Sequence, residues 1–139
     1  MVHLDLLVHP ALIVGAGSAD FLPNLHTNLA IVIIAAGAVC AIWGFGLWLL
    51  HRGMNSAFRV ALMVTGALGF AQGVLGGILL LNGDRPPDQL HYVYGAIVIL
   101  ALPVAVSYST GKNVRRDLLW FSIAALIIMA AALRAWMTG

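Results

Sequence analysis

Four long apolar runs separated by short polar breaks account for most of the sequence. The first covers about residues 25–50: Pro23-Asn24 precedes it as a start signal, and His51-Arg52-Gly53 closes it with a cationic end and a terminating glycine. The second covers about residues 57–81 and stops at Asn82-Gly83-Asp84-Arg85-Pro86-Pro87-Asp88. That segment breaks a helix decisively, and its Asp88 is placed to cap the next one. The third run, residues 89–109, contains Pro103, which is expected to kink it because proline removes an intrahelical hydrogen bond and crowds the preceding turn. After Gly111-Lys112-Asn113-Val114-Arg115-Arg116-Asp117 a fourth run covers about residues 117–137. Its uncharged part, Leu118 to Leu133, is short, and snorkelling of Arg134 with local thinning of the bilayer accommodates it.

A membrane-spanning helix needs about 20 mainly apolar residues. The pattern therefore predicts an all-α integral membrane protein: a four-transmembrane-helix antiparallel bundle over residues 25–139, its short loops favouring up-down neighbours. Residues 1–24 are expected to form an N-terminal arm at the outer face. Their one apolar piece, Ala11 to Ala16, is too short to span, and the first positive side chain is Arg52, so no cleaved signal peptide is predicted. His3 and His9 fall in this arm and read as surface histidines.

Composition strengthens this picture. Of the 139 residues 62% are apolar and 9% charged, against about a quarter charged in soluble domains. No second, soluble domain fits. The net charge of +2 comes from loop residues and describes orientation: Arg52, Arg59, Lys112, Arg115 and Arg116 follow the first and third runs, whereas only Arg85 and Arg134 belong to the other side. Both termini are thus expected on the non-cytoplasmic side, in a membrane such as the prokaryotic plasma membrane. No basic stripe interleaved with aromatics exists, so no nucleic-acid partner is expected. The single cysteine, Cys40, reads as a small buried hydrophobe and excludes an intrachain disulfide.

Small residues mark two helix faces. Ala30, Gly37, Ala41 and Gly44 follow His26 at helical spacing, which lets either a flat ring or another helix approach the backbone. Gly66, Gly69, Gly73, Gly76 and Gly77 gather on one side of the second run, where close helix packing is the plainest explanation. Gln72 lies among them, and a primary amide in hydrocarbon is costly unless hydrogen-bonded, so it is expected to face the bundle interior.

The topology then sorts the histidines. His26 and His51 are separated by about 37 Å on one helix and cannot share a ligand; His51, beside Arg52, reads as interfacial. His26 and His91 begin two helices running the same way, diagonal in the bundle, with Gly95 one turn below His91 as Ala30 is one turn below His26. That geometry suits haem b with two axial imidazoles, metal ligands His26 and His91, small residues Gly73, Gly76, Gly77 and Gly95 beside the ring, and Arg134 and Arg85 as cations for the propionates. The competing explanation is that two interfacial histidines merely cap helices.

Leu25-His26, Gln72-Gly73-Val74-Leu75-Gly76-Gly77 and Leu90-His91 resemble, in order and separation, motifs of the haem A synthase family, whose members are built from two similar four-helix halves, each with a histidine pair at the outer side. The likeness covers roughly residues 22–110 and implies a half-size relative. It departs where chemistry matters. The family's catalytic half carries a glutamate three residues before its first histidine and an arginine directly after it; here those positions are Pro23 and Thr27, and the paired outer-loop cysteines are missing. The resemblance so corrected implies a chain that holds haem rather than one that oxidises it.

The leading expectation is a bis-histidine membrane cytochrome b serving electron transfer or haem handling, as a subunit of a larger membrane complex or a homo-oligomer in the lipid bilayer. Two rivals belong to other classes. One is a haem-modifying oxidase handling haem A chemistry, for which Asp20 is the only upstream carboxylate candidate. The other is an accessory subunit of a respiratory or photosynthetic complex, cofactor-free or holding a chlorophyll-type pigment on a single histidine.

Overall fold

A computed structural model describes residues 20–139. Four helices account for nearly all of them: α1 (Phe21–Leu49), α2 (Ser56–Leu81), α3 (Leu90–Tyr108) and α4 (Val114–Thr138), with no strand among the described residues. All four are long and apolar enough to cross a membrane. The predicted arm at residues 1–24 lies outside the described residues except for its end, which differs from expectation. Residues 21–24 already belong to α1. Pro23 sits in the first turn, where backbone N–H groups lack intrahelical partners in any case, so proline there costs the helix nothing.

The turns are set by local chemistry. The Asn55 side chain accepts a bond from the Phe58 N–H at 2.7 Å and caps α2; Asn113 does the same for α4 through the Arg116 N–H at 3.0 Å. Asp88 accepts from the Leu90 N–H at 2.9 Å at the start of α3, the role its sequence position indicated. Gly83 and Gly111 adopt φ +94° and +69°, values that favour glycine, at the turns after α2 and α3. α3 continues through Pro103 to Tyr108.

Helix α4 packs most extensively, against both α1 and α3; α1 also packs on α2, and α2 more sparsely on α3. The α1/α4 crossing is close because of the small residues after His26. A Cβ on Gly37 would lie 3.0 Å from the Met129 backbone nitrogen, and one on Gly44 would run into Ser122 and Phe58. Of the two approaches that stripe allows, another helix is the one observed. On α2, Gly66 accommodates Leu102, Gly69 accommodates Val98 and Gly73 accommodates Ile99, so this part of the glycine face packs against α3.

Two buried clusters form the core. One joins Cys40, Ala41, Phe58, Leu62, Leu118 and Ala125; the other joins Ile33, Val98, Ile128, Ala131 and Ala132. Outside them the surface is apolar, with Ile42 75%, Met63 73% and Leu81 88% exposed. Exposed apolar surface on this scale needs a non-aqueous covering.

Candidate functional site

The first turns of α1 and α3 and the last turns of α2 and α4 meet at one end of the bundle, and the two histidines meet there. The rings of His26 and His91 lie 6.0 Å apart between centroids, tilted by 45°. Each is half-buried.

His91 is held from α4. Its Nδ1 lies 2.9 Å from the Ala135 carbonyl oxygen, which can only accept, so Nδ1 carries the proton. In the neutral ring Nε2 is then left with its lone pair. The end of α4 comes down onto the same ring, because a Cβ on Gly139 would stand 2.8 Å from His91 Cε1. Tyr92 adds an edge-on contact at 6.3 Å.

His26 is held from α2. The Gln72 Nε2 donates to the His26 backbone carbonyl at 2.9 Å, tying α1 to α2 at this level. Gly76, one turn on, leaves the room that the ring uses: a Cβ there would approach His26 Cε1 to 3.2 Å. Two buried polar atoms remain without a hydrogen-bond partner, His26 Nδ1 and Gln72 Oε1. A buried donor or acceptor left unmet costs about 1–3 kcal/mol, so these two atoms are open to a further hydrogen-bond partner.

The remaining candidates divide. Gln72 and Gly76 stand at the histidine pair. Gly73 packs against Ile99, and Gly77 and Gly95 face open space. Arg134 lies over the Tyr94 ring, 5.8 Å from its centroid, and is exposed; Arg85 is exposed in the turn between α2 and α3. His51 lies exposed in the turn after α1, with φ +54° and its Nδ1 3.0 Å from the Leu49 carbonyl oxygen, apart from the pair. Asp20, the carboxylate candidate of the oxidase reading, is exposed and its side chain does not cap α1. His3 and His9 lie outside the described residues.

Sequence reasoning did not identify Ala135 and Gly139 as the floor of the His91 site. A backbone carbonyl carries no residue-type signal, and the register that brings α4 to His91 is a property of the packed bundle. Among the described residues, no group of three or more histidine, cysteine, aspartate or glutamate side chains is placed to hold a metal ion.

No protein-family model, curated protein or solved structure matches this chain.

Proposed function

We propose that this chain is a bis-histidine haem protein of the membrane, an antiparallel four-helix bundle that holds haem b between His26 and His91 for electron transfer or haem handling. The observation that carries the reading is the histidine pair with its unmet polar atoms. Two imidazoles on opposite sides of one metal place their ring centres about 6 Å apart, given metal–nitrogen bonds of about 2.0–2.1 Å. The rings of His26 and His91 are 6.0 Å apart.

The hydrogen bonding agrees with ligation. A metal-bound histidine nearly always donates its other ring N–H to a carbonyl or carboxylate, which fixes the tautomer and raises ligand basicity. His91 does this through Nδ1 to the Ala135 carbonyl. For His26, the unpaired Nδ1 and the unpaired Gln72 Oε1 are a donor and an acceptor in one neighbourhood. Gly76 on α2 leaves room for the His26 ring and Gly139, just after α4, leaves room for the His91 ring, so both imidazoles reach the same end of the bundle.

His26 and His91 would hold the haem, which would supply reversible one-electron chemistry there. The chain's own contribution is to orient both imidazoles and to exclude water. The resemblance to half of a haem A synthase supports the haem and, through Pro23 and Thr27, argues against oxidation of it. The basic residues of the two loops after α1 and α3 support a non-cytoplasmic position for the histidine pair.

Titration of the detergent-purified protein with haem b, followed in the Soret region, tests it. One equivalent should bind the wild-type chain, and His91→Ala should bind at least tenfold more weakly. Equal binding by wild type and by the His26→Ala/His91→Ala double variant would overturn the proposal.

A further inference from the structure

A second feature lies at the opposite end of the bundle, on the outer surface between α3 and α4. A groove of about 260 Å³ runs there, lined by Ile97, Ala101 and Val104 of α3 and Ile123, Ala124 and Ile127 of α4, with Trp120 at the end farther from the histidines. Tyr108 stacks on Trp120 at 5.2 Å and narrows that end. The walls are apolar throughout. By itself such a groove is ordinary lipid-facing surface.

What distinguishes it is its mouth. Arg116 stands one turn before Trp120 and shares a helix face with Trp120, Ile123 and Ile127, so a guanidinium lies one turn beyond the α4 wall of the groove. The Arg116 Nη2 donates to the Thr110 Oγ1 at 2.7 Å, which carries the guanidinium across from α4 to the residues just beyond α3. Its side chain is 46% exposed, and the nearest carboxylate, Asp117, is 3.7 Å away and engaged by the Thr110 and Gly111 N–H groups. The fork keeps further donors for an anion. Lys112 is exposed in the same turn. Arg115, by contrast, is occupied over the Trp48 ring at 5.0 Å.

The length fits as well. From Arg116 to Ile127 the helix rises about 16 Å. Half of a bilayer's hydrocarbon core is about 15 Å. The lined wall from Trp120 to Ile127 accounts for about 10 Å of that rise, and a cation one turn beyond such an apolar slot has the charge order of a phospholipid.

We infer that the α3/α4 groove is a binding site for an anionic glycerophospholipid, one acyl chain lying in the groove and the phosphate resting on Arg116 and Lys112. The inference is independent of the haem reading and rests only on the helices crossing a bilayer. Basic side chains between helices at a membrane surface select anionic headgroups, and each removed costs about fivefold in affinity at low salt.

The test is native mass spectrometry of the full chain, delipidated and then exposed to phosphatidylglycerol or phosphatidylcholine, with vesicle flotation as a control for membrane insertion. The wild type should retain phosphatidylglycerol in preference, and Arg116→Gln/Lys112→Gln should lose most of that preference. Val104→Trp, which fills the groove from an exposed position, should lower retention of both lipids. Equal retention of the two lipids by the wild type would overturn the inference. So would an unchanged preference in the double variant, or a groove filled by a quinone or a second copy of the chain. Failure to float with vesicles would instead contradict the membrane reading beneath it.

Discussion

The two ends of the bundle treat buried polarity in opposite ways. At the end built around Phe58 and Leu118, Thr65 donates to the Ala61 carbonyl at 2.8 Å and lies 3.5 Å from the Cys40 sulfur. Ser122 donates to the Leu118 carbonyl at 2.7 Å, and Asp117, 4% exposed, accepts from the Gly111 and Thr110 N–H groups at 2.8 and 3.3 Å. At the histidine end, His26 Nδ1 and Gln72 Oε1 are buried without partners. One end is satisfied and closed. The other leaves two polar atoms open to a further partner.

The contrast can be broken by substitution, beginning where the effect should be largest. Phe58 is fully buried and meets Trp43 edge-on at 5.8 Å. Phe58→Ala should cost about 3–5 kcal/mol, read as a loss of thermal stability in detergent. At the α1/α4 crossing, Gly37→Val should separate the helices, because the added atoms meet Met129 and Ala125 backbone rather than a flexible side-chain tip. Asp117→Leu removes the acceptor for two loop N–H groups and should lower thermal stability less than Phe58→Ala does. Asp117→Asn, which keeps one acceptor oxygen, should cost less.

At the histidine end the same kind of change should behave differently. Gln72→Leu loses one bond to the His26 carbonyl but also removes an unsatisfied buried oxygen, so its net effect on stability should lie within about 1 kcal/mol of zero. Its haem affinity should nonetheless fall, a separation of binding from stability that no variant around Phe58 should show. A large loss of stability in Gln72→Leu would erase the distinction between the two ends. The smallest effect is expected at Gly77 and Gly95, where a methyl group meets nothing within 4 Å. Alanine at either position should stabilise by about 0.5–1 kcal/mol through reduced backbone freedom, provided that no bound group uses the space. If either alanine weakens haem binding, that glycine is part of the site.

How much of this was legible in the sequence follows from which forces act locally. The four helices were legible because length and apolarity determine them, and Asp88 bonds the first N–H of α3 as its position indicated. α1 starts four residues before the expected Leu25, because a start signal at Pro23-Asn24 does not distinguish a position just before the helix from one in its first turn. The His26–His91 pairing was legible from topology alone, since helices of matched direction bring their first turns to one end. The glycines of α2 were not separable in sequence: Gly66, Gly69 and Gly73 pack on α3, Gly76 makes room for His26, and Gly77 is open. The buried position of Asp117 and the Ala135 carbonyl at His91 depend on how the bundle closes, which no single residue announces.

The spin state of the bound haem tests the central claim most directly, since it reports how many axial ligands the protein supplies. By low-temperature electron paramagnetic resonance, the ferric wild-type protein should be six-coordinate and low-spin. His26→Ala and His91→Ala should each convert any retained haem to a high-spin form. A high-spin wild type, or low-spin haem retained in both single variants, would contradict ligation by His26 and His91.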